Sequence, residues 1–126
     1  DAATVVVGVI ICDHGSKRKA ANDMLSEVAQ RYRDASGQEI VETAHMELAE
    51  PTIAQAFDRC VAQGASQVVC HPFFLSPGRH VTSDIPALME AAARAHPAVR
   101  WAVSRPLGLS PLMPQLMRKA VDEALQ

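Results

Sequence analysis

The chain has 126 residues, about the length of one domain, and residues 1–126 are expected to form a single one. Apolar residues at 48% give it enough material for a core of its own, while a formal net charge of −2 carries none of the basic surplus of a nucleic-acid binder. No apolar run approaches the ~20 residues that span a bilayer, so no membrane partner is expected.

In chain order, residues 5–12 form a continuous β-branched run of the kind seen in a strand buried on both faces. The run ends at Asp13-His14-Gly15-Ser16. Ala21, Met24, Leu25, Val28 and Tyr32 then recur at helical spacing, and Gly37 stands where that helix should stop. Residues 39–45 read as a second strand. After Glu50-Pro51, Ile53, Phe57, Cys60 and Val61 mark one face of a second helix, closed by Gly64. A third strand is expected over 67–74, followed by a polar loop over 75–82. Thr82 or Ser83 could then cap a helix showing Ile85, Leu88, Met89 and Ala92. The last unit runs from a strand at 99–103 into Ser110-Pro111, with Met113, Leu116, Met117, Ala120 and Val121 expected as a buried stripe.

Four β-α units in strict alternation predict an α/β fold with a four-stranded parallel sheet flanked by helices. Ligands of such open sheets bind beyond the carboxyl ends of the strands, which selects the loops 13–19, 45–51, 74–83 and 104–110. Three of these bring chemistry to one edge: His14 in the first, His45 with Glu47 and Glu50 in the second, Arg79 and His80 in the third. Imidazole and carboxylate together suit divalent iron, cobalt, nickel or zinc, and both accept protons. His71, inside the third strand, reads as a core histidine hydrogen-bonded to a neighbour. His96, before Pro97 at a helix end, reads as a solvated structural residue. Gly15 and Ser16 before a helix could alternatively present N–H groups to a phosphate, although the Walker and dinucleotide glycine spacings are missing. Cys12, Cys60 and Cys70 are odd in number and set in apolar surroundings, so each is expected to be a small core residue in a reducing compartment.

The ordered motifs Asp13-His14-Gly15-Ser16, Ala44-His45-Met46-Glu47-Leu48-Ala49-Glu50-Pro51, and Pro72-Phe73-Phe74-Leu75-Ser76-Pro77-Gly78-Arg79-His80 followed by Asp84-Ile85-Pro86 resemble the CbiX/SirB family. This family comprises sirohydrochlorin ferrochelatases and cobaltochelatases, related in fold to the larger class II chelatases. The likeness runs over about 5–125. Phe73-Phe74 and Gly78-Arg79-His80 look most like plant, algal and cyanobacterial members. The resemblance implies a chelatase-like, flavodoxin-type half-fold and insertion of a divalent metal into sirohydrochlorin, giving sirohaem when the metal is Fe²⁺. Co²⁺ is the alternative metal substrate, and a tetrapyrrole or metal carrier without turnover is the alternative function.

By the same resemblance, His14, Glu47 and His80 correspond to the metal-binding and proton-accepting positions. Ser16, Arg18 and Arg79 are expected against the carboxylate-rich tetrapyrrole, where a guanidinium matches a carboxylate bidentately. Short members of the family form symmetric homodimers, and a homodimer is expected here. Plant-like motifs imply a plastid stroma in a eukaryote and the cytoplasm otherwise. Plant-type members can carry a cysteine-bearing C-terminal tail associated with an iron–sulfur cluster; the sequence reaches Gln126 without one, and no cluster is claimed for it.

Overall fold

The computed structural model describes residues 4–76 and 78–126, with the side chains of residues 79–82 outside the described set. The strands are β1 (Val7–Asp13), β2 (Ile40–His45), β3 (Gln67–Pro72) and β4 (Arg100–Val103). The helices are α1 (Lys19–Ser36), α2 (Ile53–Ala62), α3 (Arg79–Ala93) and α4 (Met113–Ala124), with a 3-10 turn at Leu107–Leu109. All strand pairs are parallel, in the order β2-β1-β3-β4. The expected α/β sheet is therefore present, with β1 and β3 at its centre.

Alternation along the strands divides the core. Ile10, Cys12, Val68 and Cys70 point to the α2–α3 face, where they pack with Phe57, Cys60, Ile85 and Met89. Val9, Ile11 and Val41 point the other way, against Leu25 and Ala29 of α1. The three cysteines are buried and unpaired, as expected. Burial pushes the Cys60 thiol up to about 12, with Glu42 and Cys70 adding to the rise. Helix α2 begins with a reciprocal cap. The Thr52 side chain accepts from the Gln55 N–H at 3.1 Å, and the Gln55 side chain accepts from the Thr52 N–H at 2.8 Å.

Two expectations are corrected. Helix α3 starts at Arg79 behind Gly78, not at Thr82 or Ser83, so Arg79 and His80 open a helix rather than end a loop. Helix α4 exists, but its apolar stripe is not buried: Leu112, Leu116, Met117, Val121 and Leu125 are 57–80% exposed. The helix rests on the 3-10 turn rather than on the sheet. Gly108 in that turn sets the direction. Its N–H donates to the Phe74 carbonyl at 2.8 Å, and a Cβ there would lie 1.8 Å from the Leu75 carbonyl oxygen. On the α1 side of the sheet this leaves a groove of about 510 Å³ over β1 and β3, lined by Val7, Tyr32, Val69, His71 and Leu107 among others.

Candidate active site

His14 follows the last residue of β1, and Glu47 lies two residues beyond the end of β2. β1 pairs with β2 on one side and β3 on the other, so the strand order reverses at β1, which is where open α/β sheets bind ligands. Two backbone hydrogen bonds continue the β1–β2 pairing past the sheet. Met46 N–H donates to the Asp13 carbonyl at 2.9 Å, and Glu47 N–H to the His14 carbonyl at 3.1 Å. Gly15 makes this lacing possible. It has φ +93°, and a Cβ at that position would fall 1.8 Å from the Glu47 carbonyl oxygen. The result is His14 Nδ1 at 3.7 Å from Glu47 Oε1, with both side chains 58% exposed.

Each member of the pair lines a hollow of its own. His14 lines a cavity of about 450 Å³ floored by Met24, Val28, Phe73, Phe74 and Leu75. Glu47 lines one of about 270 Å³ beside Asp84 and Leu88 of α3. The His14 ring meets Phe74 edge-on, with centroids 5.4 Å apart. An imidazole and a carboxylate in reach of water, beside an apolar wall, can share a divalent cation or accept protons from a flat apolar ligand held against that wall. Among the described residues no group of three His, Cys, Asp or Glu side chains converges. The side chains of Arg79 and His80 lie outside the described residues; their backbone opens α3 after the Phe73–Ser76 segment.

Of the other expected contacts, Ser16 lines the larger cavity, whereas Arg18 is exposed at the N-cap of α1 and is not among its lining residues. Of the two N–H groups in the phosphate reading, that of Ser16 is engaged within the chain. Ser16 N–H already donates to Asn22 Oδ1 at 2.9 Å, and Arg18 N–H to Ser16 Oγ at 3.0 Å. His71 makes the expected hydrogen bond, with Nδ1 2.8 Å from Ser104 Oγ and its pKa lowered by burial, but it is half-buried and lines the groove rather than the core. His96 is structural, as expected, but its partner is specific. Its Nε2 lies 2.7 Å from Asp58 Oδ1, and its ring stacks on Phe57.

Residue-by-residue reading did not find the link beneath the site. His45 Nδ1 lies 2.5 Å from Asp13 Oδ1, and His45 is only 3% exposed. The available signal was that Asp13 and His45 each end a strand; it needed the register, which pairs them across β1 and β2.

The family model described as CbiX matches residues 8–124. The chloroplastic sirohydrochlorin ferrochelatase of Arabidopsis thaliana is 45% identical over 118 residues, which cover 94% of this chain and 52% of that protein. Among solved structures, a cobalamin (vitamin B12) biosynthesis CbiX protein from Marinobacter aquaeolei VT8 is 29% identical with a TM-score of 0.81, covering 94% of this chain and 97% of that one. The sirohydrochlorin chelatase SirB from Bacillus subtilis subspecies spizizenii in complex with cobalt is 26% identical with a TM-score of 0.81, covering 93% of this chain and 50% of that one. The chain thus spans about half the length of the Arabidopsis and Bacillus proteins. The match takes in all four strands and the strand-end motifs that carry His14 and Glu47, and the chain belongs to the CbiX family.

Proposed function

We propose that the chain is a sirohydrochlorin ferrochelatase, placing Fe²⁺ in sirohydrochlorin to give sirohaem. The observation that carries this reading is the His14–Glu47 pair, 3.7 Å apart at the rim of an apolar cavity, on a chain 45% identical to a ferrochelatase. The reaction exchanges two pyrrole N–H protons for one divalent cation: the cation sheds water, and two protons leave the macrocycle. His14 and Glu47 hold the incoming metal and accept those protons, with His80 completing the set from the start of α3. The Met24, Phe73 and Leu75 wall takes the face of the macrocycle, while Ser16, Arg18 and Arg79 meet its carboxylates. Co²⁺ is the second reading for the metal, favoured by the cobalt complex of the Bacillus relative, and imidazole with carboxylate accepts either ion.

The working unit in this reading is a homodimer. Helix α4 displays a row of large aliphatic side chains with no sheet beneath it, and the sheet has an uncovered groove on its α1 side. A second copy supplies both missing surfaces. Each large aliphatic side chain removed from water contributes about 1.5–3 kcal/mol toward holding two chains together, against the entropy cost of association. No helix among the described residues is long and apolar enough to cross a membrane. The plastid stroma is the proposed compartment, after the chloroplastic Arabidopsis relative.

Anaerobic absorbance spectroscopy with sirohydrochlorin tests the function. Insertion above the spontaneous rate is expected with Fe²⁺ and, to a lesser degree, with Co²⁺. His14→Ala and Glu47→Gln should each lower it by roughly 10²–10⁴-fold, the range for losing a positioned proton acceptor. Binding of sirohydrochlorin without acceleration by either metal would leave a carrier and overturn the enzyme reading.

A further inference from the structure

We propose that the buried Asp13–His45 pair is a positioning device that sets the distance and orientation of His14 relative to Glu47. The proposal rests on the reading of His14 and Glu47 given above. Asp13 and His45 are register partners at the ends of neighbouring parallel strands, so their side chains leave the sheet on the same face and meet at 2.5 Å. One residue beyond Asp13 is His14; two beyond His45 is Glu47. Any change in the separation of the two strand ends is therefore passed to the site within one or two residues.

The backbone alone does not explain the choice of side chains. Asp13 and His14 carbonyls already accept from Met46 and Glu47, which ties the strand ends together. A carboxylate 22% exposed beside a ring 4% exposed costs desolvation that an apolar pair would avoid. What Asp13 adds is direction. Its oxygen accepts from the Nδ1–H of His45, which selects one tautomer and one ring orientation. The placement of His45 matters because its Cβ lies under the turn that follows His14. A Cβ on Gly15 would stand 3.1 Å from the His45 Cβ. His45 also anchors its own loop, donating its backbone N–H to the Pro51 carbonyl at 2.8 Å. His45 thus touches both the turn after His14 and the loop bearing Glu47, and the contact with Asp13 holds it in that place. Displacements near 1 Å at such groups are enough to cost orders of magnitude in rate.

The test is a set of variants at the two positions, with Co²⁺ as the spectroscopic probe. Asp13→Ala and His45→Phe remove the contact; Asp13→Asn keeps an oxygen acceptor, and His45→Asn places an amide N–H near the position of Nδ1. In the two disrupting variants kcat for metal insertion should fall at least about tenfold while KM for sirohydrochlorin stays within about twofold, the pattern of lost orientation rather than lost binding. The visible absorption of protein-bound Co²⁺ should shift in both. Each Asn variant should recover most of the loss and the wild-type Co²⁺ spectrum. The Asp13→Ala/His45→Phe double variant should be no worse than the worse single one.

The proposal is overturned if the folded disrupting variants keep wild-type kcat and Co²⁺ absorption, or if losses across all four variants follow thermal stability alone. Where a disrupting variant does not fold, the Asn variants decide: wild-type absorption and kcat in both support the pair, and a loss in either as large as in His14→Ala overturns it. His14→Ala separates the two levels. Full insertion and an unchanged Co²⁺ spectrum in that variant would remove the site reading itself, whatever the pair does.

Discussion

The two faces of the sheet are finished to different degrees. On the α2–α3 face, Phe57, Cys60, Ile85 and Met89 are each at 0% exposure against Ile10, Cys12, Val68 and Cys70. On the other face, α1 covers Val9, Ile11 and Val41, while the strip toward β3 and β4 is left as a groove and α4 stands clear of it. One face is closed by residues of a single chain; the other leaves a groove and an apolar helix row uncovered. If the proposed homodimer forms, the difference separates what this sequence needs in order to fold from what it needs in order to assemble.

The largest expected effect lies on the closed face. Phe57→Ala should cost about 3–5 kcal/mol in chemical denaturation, by the same amount at every protein concentration, because the cavity it opens is internal to one chain. A concentration-dependent loss would break the comparison at its firmer end. On the open face, the Leu116→Asp/Val121→Asp pair should lower apparent stability at micromolar concentration by about 2–4 kcal/mol and shift sedimentation to the mass of one chain. Its denaturation midpoint should no longer depend on concentration. An unchanged mass in wild type and variant alike would mean that the groove and the helix do not serve two copies.

Smaller effects sharpen the contrast. Thr52→Ala removes the side-chain half of the α2 cap and should cost about 1 kcal/mol, with a single cooperative transition retained. The smallest effect concerns pH. Burial lowers the His71 pKa in the folded chain below its unfolded value of about 6.5, so the unfolded chain binds the proton more readily in that window. Stability should be highest above about pH 6.5 and fall as the pH drops toward the folded pKa, where the dependence levels off. His71→Asn should flatten that slope. The slope should also be steeper for wild type than for the Leu116→Asp/Val121→Asp protein, because a covering helix deepens the burial of a ring that lines the groove.

The parallel α/β sheet was legible in the sequence because β-branched runs and helical stripes alternate so regularly, and with it the edge of the sheet where His14 and Glu47 stand. The α4 stripe was legible as amphipathic but not as exposed. Periodicity reports that a face is apolar; it does not say whether the covering surface belongs to the same chain. The start of α3 was placed late for a local reason. Gly78 caps the helix through its extended backbone without a side-chain hydrogen bond, so it left no Ser or Thr signal, while Thr82 and Ser83 offered a false one. The Asp13–His45 contact was hidden because it depends on register between strands 32 residues apart, which no local pattern encodes. The apolar wall was half legible: Met24 and Val28 fell on the expected helix stripe, but that they face a cavity together with Phe73 and Leu75 is a property of the tertiary arrangement.

Gly108 joins the two themes mechanically. Its N–H is held by Phe74 and its bare Cα presses on the Leu75 carbonyl, so the residue acts as a rivet between the lead-in to α4 and the floor of the His14 cavity. Torque applied to α4 is borne by the same stretch of main chain that carries Phe74 against the imidazole. The helix that reaches outward and the wall beside the His14–Glu47 pair are joined through that rivet.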